Sequence, residues 1–523
     1  MRAFIIIFLI ILAFGCQSKT NKQDSTVERV TRYSERYRPQ VHFTPDSMWM
    51  NDPNGMFYYE GEYHLFYQYY PDSNVWGPMH WGHAVSNDLV HWEHLPIALY
   101  PDSLGYIYSG SAVVDWNNTS GFGKDGVPPL ITIYTYNDRV KEMEGANDYQ
   151  TQGIAYSNDK GRTWTKYENN PVLTNPGIKD FRDPKVRWYQ PQQKWIMSLA
   201  VKDRISFYSS KDLKNWEHES DFQPELGAYG GVWECPDLFP IMDEVSGEEK
   251  WVLFVSINPG APNGGSGTQY FVGSFDGHEF INENKNLYWL DYGKDNYAGV
   301  TWSDIPEEDG RTLFIGWMSN WQYATKVPTE RWRSAMTVTR ELKFKSEGED
   351  LIVTSIPVNE FETLRKEMKT KEQLMILGSE KVFQEIKLPC EFILEFETIN
   401  HSELNSVSEY GFSLQNEDGE EFIVSYNSTK QELIINRDNS GVSDFSEDFN
   451  GLQYAPYQAK STLNFRVIVD WSSIEIFVNN GEKVMTSLVF PKEDYRTINA
   501  FAKNGGIAIN KAALYELKSI WDN

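Results

Sequence analysis

Ser86-Asn87-Asp88-Leu89-Val90-His91-Trp92 returns as Ser157-Asn158-Asp159-Lys160-Gly161-Arg162-Thr163-Trp164 and as Ser210-Lys211-Asp212-Leu213-Lys214-Asn215-Trp216. A degenerate fourth copy is Ser274-Phe275-Asp276-Gly277-His278-Glu279-Phe280. Each reads as a turn followed by an outer-strand aromatic. Upstream of the copies recur apolar β-type runs: His64 to Tyr70, Leu130 to Tyr136, Trp195 to Val201, Trp251 to Ile257 and, in a fifth unit, Thr312 to Met318. Before each lies another β-prone segment, at Gly55 to Tyr59, Ser111 to Asp115, Lys185 to Tyr189, Asp237 to Met242 and Gly299 to Trp302. No long amphipathic helical pattern precedes about residue 355. Internal repeats of one β unit mean a propeller or a solenoid. Five units predict a five-bladed β-propeller over residues 38–350. A parallel β-helix is the alternative, although its repeats are shorter and more regular.

Downstream, Asn359-Glu360-Phe361-Glu362-Thr363-Leu364-Arg365-Lys366-Glu367 is charged and helix-compatible. It is read as part of an interdomain linker, residues 351–373. Period-two alternation then resumes at Glu391 to Ile399, Tyr410 to Gln415, Glu421 to Tyr426, Glu432 to Asn436, Ser461 to Val469, Ser473 to Val478 and Lys483 to Val489. Asn479-Asn480-Gly481 is a type I′ hairpin signal. Residues 374–523 are therefore expected to form an antiparallel β-sandwich, making the whole chain all-β.

The N-terminus predicts export. Arg2, an apolar run from Ala3 to Phe14 and Gly15-Cys16 read as a signal peptide over residues 1–16. The run is short for a transmembrane helix of about 20 residues. Ala13-Phe14-Gly15-Cys16 is similar to a bacterial lipoprotein cleavage site, which makes Cys16 the lipidation candidate and residues 17–37 a tether. The expected location is across the inner membrane, anchored on the periplasmic side or the cell surface. Cys235 and Cys390 fall in different domains, so no disulfide framework is expected, and no Cys/His spacing suggests zinc. A net charge of −26 argues against nucleic acid and anionic substrates. A neutral ligand such as a carbohydrate fits better, and 18 Trp and 30 Tyr can stack on sugar rings as well as fill cores.

In a propeller the first strand of each blade lines the central channel, so polar groups just before first strands converge on one mouth. Trp49-Met50-Asn51-Asp52-Pro53-Asn54-Gly55 supplies Asn51-Asp52. Later units supply Tyr108-Ser109-Gly110-Ser111, Phe181-Arg182-Asp183-Pro184, Trp233-Glu234-Cys235-Pro236-Asp237 and Asp295-Asn296-Tyr297-Ala298. Three carboxylates, Asp52, Asp183 and Glu234, thus reach one funnel. Paired carboxylates are what glycoside cleavage needs, one ionised and attacking, the other protonating the leaving oxygen. Asparagine and backbone donors are expected to keep Asp52 charged. Glu234, between Trp233 and Cys235, is expected among less polar neighbours, with desolvation and the charge of Asp52 raising its pKa. Asp183 suits sugar hydroxyls, and Arg182 can fork onto hydroxyls or carboxylates. His80-Trp81-Gly82-His83 invites a metal reading, but no third ligand is evident and a structural role is favoured.

Together these motifs, with Tyr108-Ser109-Gly110-Ser111-Ala112, Gly316-Trp317-Met318-Ser319-Asn320-Trp321 and Asp470 to Gly481, resemble glycoside hydrolase family 32, the invertases, inulinases and levanases. The resemblance runs from Arg38 to Trp521. It implies a five-bladed propeller with a β-sandwich and a retaining attack on β-fructofuranosides without metal or cofactor. By motif match it makes Asp52 the nucleophile, Glu234 the acid/base and Asp183 the transition-state stabiliser. Asn51, Gln68, Trp76, Ser109, Arg182 and Trp317 match the fructose-pocket positions, and Tyr108 stands where the family usually has Phe. The implied function is release of fructose from levan or inulin, and from sucrose. An endo-levanase, a fructosyltransferase and a non-catalytic fructan-binding lipoprotein remain open at this stage.

Overall fold

The computed structural model describes residues 33–398 and 407–521. The signal peptide, Cys16 and most of the tether lie outside them. From Met48 to Pro357 the chain winds through five consecutive antiparallel sheets. The first is Met48–Tyr59, Glu62–Tyr70, His80–Ser86 and Glu93–Leu99, and the second Tyr106–Val114, Leu130–Asn137, Gln150–Ser157 and Thr165–Lys166. The third is Phe181–Tyr189, Lys194–Val201, Arg204–Ser210 and Glu217–Phe222. The fourth is built on Val232–Met242, Glu249–Asn258, Gly267–Phe275 and Phe280–Asn282. The fifth is Tyr297–Thr301, Thr312–Met318, Arg340–Glu347 and Asp350–Pro357. Trp332–Arg333, from a crossover inside the fifth blade, adds in parallel to Met48–Trp49 of the first and closes the ring.

The repeated cassette is the turn between third and fourth strands. Its aspartate accepts backbone N–H groups: Asp88 from Val90 and His91, Asp159 from Thr163, Asp212 from Lys214 and Asn215, Asp276 from His278 and Glu279. The next residue is left-handed in every copy, at Leu89, Lys160, Leu213 and Gly277. The aspartate satisfies the N–H groups that this reversal frees from the ladder. Trp92, Trp164 and Trp216 end their turns just ahead of the fourth strand and are partly buried between blades. Trp92 stacks on Trp302 of the fifth blade, ring centroids 6.3 Å apart, and Trp164 meets Phe66 of the first edge-on at 5.7 Å.

Residues 351–373 are not a linker. Asp350–Pro357 is the outer strand of the fifth blade, Asn359–Leu364 is a short 3-10 helix burying Phe361 and Leu364, and Arg365–Ile376 is a strand. That strand is charged because it is a sheet edge, paired on one side to Ile507–Leu517 and exposed along most of its length. Charges there block edge-to-edge pairing and imitate a solvated helix in sequence. It belongs to the first sheet of a two-sheet sandwich, with Ile507–Leu517, Cys390–Thr398, Thr462–Val469, Ser473–Val478 and Lys483–Leu488. The second sheet orders Ser379–Gln384, Thr497–Lys503, Glu409–Gln415, Glu421–Asn427, Glu432–Asn439 and Gln453–Pro456. Inward-facing Phe392, Leu394, Phe412, Leu414, Val424, Phe465, Val467 and Ile476 form one continuous core. The 479–481 reversal differs from a two-residue type I′ turn. Val478 pairs with Lys483 across four residues, with Asn479, Asn480 and Gly481 all left-handed and the Glu482 N–H donating to Val478 O.

Candidate active site

All five first strands break register where the sequence places polar groups. The ladder slips between Met50 and Pro53, Ile107 and Gly110, Arg182 and Lys185, Glu234 and Asp237, and Tyr297 and Val300. Asp52, Asp183 and Glu234 therefore lie within their strands, at bulges, not ahead of them. A bulge puts two residues opposite one and re-aims a side chain that regular pleating would bury in the blade. Three bulges hold a non-glycine residue in the left-handed region: Asp183 at φ 62°, Cys235 at φ 46° and Ala298 at φ 52°. Such conformations cost of order 1–3 kcal/mol each and concentrate at functional sites.

The re-aimed side chains line a cavity of about 240 Å³. Asn51, Asp52, Gln68, Trp76, Tyr108, Ser109, Arg182, Asp183 and Glu234 all face it. Asp52 Oδ2 accepts from Ser109 Oγ at 2.9 Å, while its Oδ1 is buried without a hydrogen-bond partner. The Asp183 carboxylate accepts the Cys235 N–H at 3.1 Å, and its own N–H donates to Thr135 Oγ1 at 3.0 Å. The Cys235 thiol lies 3.8 Å from Asp52 Oδ2 and 3.7 Å from Asp183 Oδ2, so one sulfur touches both carboxylates. Arg182 donates to Glu234 Oε1 at 2.8 Å and to Asp180 Oδ1 at 2.7 Å. The Tyr297 hydroxyl donates to the other Glu234 oxygen.

Two electrostatic expectations change. Glu234 does not sit among apolar neighbours, because its bulge turns it onto Arg182 and Tyr297. The surroundings of Asp52 disfavour its charged form rather than favour it. Burial, reinforced by the charge of Glu234, outweighs the donors on Asn51 and Ser109 and pushes its pKa up to about 6. Burial also raises Asp183, with Arg182 opposing and Glu234 and Asp52 reinforcing. Burial pushes the Cys235 thiol well up, with Asp183 and Asp52 adding to it, so it acts as a neutral donor wedged between acids. Arg182 loses charge stability by burial, but Glu234, Asp183 and Asp180 more than restore it.

Trp317 does not line the cavity. It is fully buried behind the wall, packed on Trp49, Tyr297 and Trp321, and its fifth-blade neighbour Trp321 provides the exposed ring face. Trp81 is also buried, and its Nε1–H donates to Tyr108 O, fixing the strand that presents Tyr108 and Ser109. His83 faces away from the cavity, stacked on Phe66 with Nε2 3.0 Å from His64 Nδ1. Cys235 and Cys390 are both buried free thiols.

Further wall residues are Asn137, Glu142, Tyr149, Gln150 and Asp180. Asp180 directly precedes the Phe181-Arg182-Asp183-Pro184 motif, and that adjacency is the signal for it in the sequence. Glu142 carries no such signal, because it sits on a five-residue helix, Arg139–Met143, inserted after the second blade's second strand. Tyr297 opens the fifth blade's bulge, the register position that Arg182 and Glu234 hold in the third and fourth, which is the signal that marks it.

The match to known proteins spans both domains. Residues 42–355 match the glycosyl hydrolases family 32 N-terminal domain and residues 360–516 the family's C-terminal domain. A levanase from Bacillus subtilis (strain 168) is 50% identical over 502 residues, covering 94% of this chain and 72% of that protein. The extracellular exo-inulinase of Aspergillus awamori is 37% identical over 522 residues, covering 94% and 96%. The crystal structure of the Aspergillus awamori exo-inulinase superposes with a TM-score of 0.85 at 34% identity, over 94% of this chain and 100% of that one. A β-fructofuranosidase from Schwanniomyces occidentalis, complexed with fructosyl-erythritol, gives 0.84 at 34% identity over 93% and 99%. The chain is a glycosidase and belongs to glycoside hydrolase family 32.

Proposed function

We propose that this enzyme is an exo-acting β-fructosidase that removes single fructose units from the non-reducing end of fructans by a retaining double displacement. The carrying observation is the convergence of Asp52, Asp183, Glu234 and Arg182 on a cavity of about 240 Å³. A cavity of that volume admits a terminal fructosyl ring, with the three carboxylates around it. In this reading Asp52 attacks the anomeric carbon. Glu234 gives its proton to the departing glycosidic oxygen, then takes one from the water that releases fructose. Arg182 and Asp183 bind ring hydroxyls. As the hydroxyls take up Arg182, Glu234 is freed from its ion pair to act on the leaving group.

The names of the relatives, levanase and exo-inulinase, support a fructan substrate of either linkage. Incubation with levan, inulin and sucrose in parallel, followed by chromatography, tests the reading. Free fructose from the first time point is expected. A ladder of oligosaccharides from polymer would replace it with an endo-enzyme, products longer than sucrose with a fructosyltransferase, and no release at all with a binding protein.

The extracellular relatives are consistent with export, and we place the enzyme outside the inner membrane on a lipid carried by Cys16. Labelled palmitate should enter the wild type and not Cys16→Ser. External protease on intact cells separates surface from periplasmic placement.

A further inference from the structure

The channel has a second mouth that the reaction does not use. The first strands that carry the carboxylates run on past them for six to eight residues, roughly 20–26 Å at 3.3 Å per residue. The far ends of the first strands of the second, third and fourth blades, at Val114, Trp188 and Pro240, and Trp302 just past the fifth's, line a cavity of about 440 Å³, larger than the catalytic one. Trp116 stands in its wall, 59% exposed. Its ring is nonetheless fixed. The indole Nε1–H donates to Asp304 Oδ1 at 2.9 Å, and the ring lies 5.9 Å from that of Tyr59. Asp304 is left-handed, φ 58°, and its carboxylate also accepts the Val114 N–H at 3.0 Å and the Ser303 hydroxyl at 2.9 Å. Protein donors thus occupy Asp304, which acts as a clamp on the indole.

Arg187 lies in the same wall. Among the described residues its guanidinium has no hydrogen-bond or ion-pair partner. Asp237, Asp304 and Glu249 act on it only through space. The neighbouring Arg311 shows what a structural arginine looks like here, since Asp309 and Glu360 both grip it by two oxygens. A large apolar face held rigid in water beside an unspent five-donor fork suits a neutral sugar. The ring's C–H face covers the indole and adjacent hydroxyls accept from the guanidinium. An anion fits less well, because the chain carries −26 and three carboxylates surround Arg187.

We propose that this distal mouth is a second, non-catalytic saccharide site that holds an internal segment of the polymeric substrate. The proposal rests on the fructan-hydrolase reading above. Its consequence is avidity: a polymer held at Trp116 and Arg187 keeps its free ends near the catalytic mouth.

The test uses the full chain carrying Asp52→Asn and Glu234→Gln, titrated calorimetrically with levan-derived and inulin-derived oligosaccharides and, separately, with inorganic phosphate. Two oligosaccharides per chain are expected, falling to one when Trp116→Ala or Arg187→Gln is added, with Trp116→Phe keeping both. Oxidation of Trp116 by N-bromosuccinimide, followed by peptide mass spectrometry, should be slowed by the oligosaccharide in the chain with an unaltered distal mouth. That measurement needs no folding-sensitive change there. In the active enzyme Trp116→Ala should raise KM for high-molecular-weight fructan roughly 3–10-fold and leave sucrose kinetics unchanged. One oligosaccharide per chain regardless of Trp116 and Arg187, binding of phosphate alone, or no protection of Trp116 would each overturn the proposal. Failure of the underlying function is separately visible, as an unsubstituted enzyme that releases no fructose from any of the three substrates.

Discussion

Replacing Asp52, the proposed nucleophile, should make the protein more stable while removing its activity. Asp52 is ordinarily a group of pKa 3.8, and in this site it rises to about 6. The folded enzyme therefore holds the proton more tightly than the unfolded chain does. That contribution is fully present below pH 3.8 and is lost as pH rises through about 6, so at pH 7 the site carries the whole penalty of an ionised, desolvated carboxylate. A gap of a little over two pH units corresponds to about 3 kcal/mol at 1.36 kcal/mol per unit. The open cavity lets water relax part of it, leaving an expected gain of roughly 1–3 kcal/mol for Asp52→Asn, whose amide needs no charge solvation. In a protein of this size that is a rise in Tm of roughly 1–3 °C at pH 7. Differential scanning calorimetry of both proteins from pH 4 to pH 8 measures it, and kcat should drop by at least about 10³-fold. The difference in Tm should shrink towards zero near pH 4, where the wild-type carboxyl is protonated too. An Asp52→Asn protein that melts at or below the wild type at pH 7, or whose advantage persists unchanged at pH 4, would refute the electrostatic reasoning.

Glu234→Gln should lose far more activity on polysaccharide than on a fructoside with a good leaving group, because only the poor leaving group needs the proton; equal losses on both would remove Glu234 from the acid role. Tyr297→Phe deletes the hydroxyl on Glu234 and should lower kcat on polysaccharide roughly 10–100-fold while leaving the fold intact by circular dichroism. The kcat/KM of the wild type should climb with pH through about 6 as Asp52 ionises, reported as an apparent value for the coupled carboxylates. At the domain interface burial opposes the charge on His42, but Asp470 and Glu475 outweigh it and raise its pKa from 6.5 to about 9. Its contribution is present in full below pH 6.5 and is lost as pH rises through about 9, so Tm should fall across that window, and His42→Gln should flatten the fall. Glu475→Gln leaves Arg340 and His42 buried with half their partners, and should destabilise by about 3–5 kcal/mol in urea unfolding.

The propeller was legible because a blade is a local object. Its strands pair with sequence neighbours, and the Ser-x-Asp cassette marks each third-to-fourth-strand turn by a backbone need that recurs with the fold. The convergence of Asp52, Asp183 and Glu234 followed from the same periodicity, since equivalent positions in successive blades face one channel. What sequence hid was set by non-local contacts. Most of Arg365–Ile376 reads as charged linker because an edge strand is solvated on both faces, and only its partner Ile507–Leu517, about 140 residues on, makes it a strand. Trp317 and Trp321 sit four residues apart in one motif, and no local pattern says which is walled in. Glu234 gained Arg182 and Tyr297 as partners from two other blades, and its flanking Trp233 and Cys235 misrepresented its surroundings, because side chains alternate across a strand.

The same logic gives the sandwich a role at the catalytic centre. The approach to the fifth blade, residues 291–296, docks along the outer strand Lys483–Leu488 of the sandwich. Tyr292 N–H donates to Val484 O and Asp295 N–H to Thr486 O, while Asp291 and Asp295 take the N–H groups of Thr486 and Leu488. The pairing covers an edge that would otherwise be open. Buried charges lock it: Arg437 on Asp295 at 2.6 Å, with Tyr323 bridging both, and Arg340 spanning Asp291 and Glu475. Gly293 is required in this segment, since a Cβ would come within 2.0 Å of Thr486 O. Tyr297, two residues past Asp295, then delivers its hydroxyl to Glu234. Buried ion pairs of this kind add little net stability, but they fix register. Here the register being fixed is that of the segment that aims Tyr297 at Glu234, so the second domain bears on chemistry by setting where that hydroxyl stands.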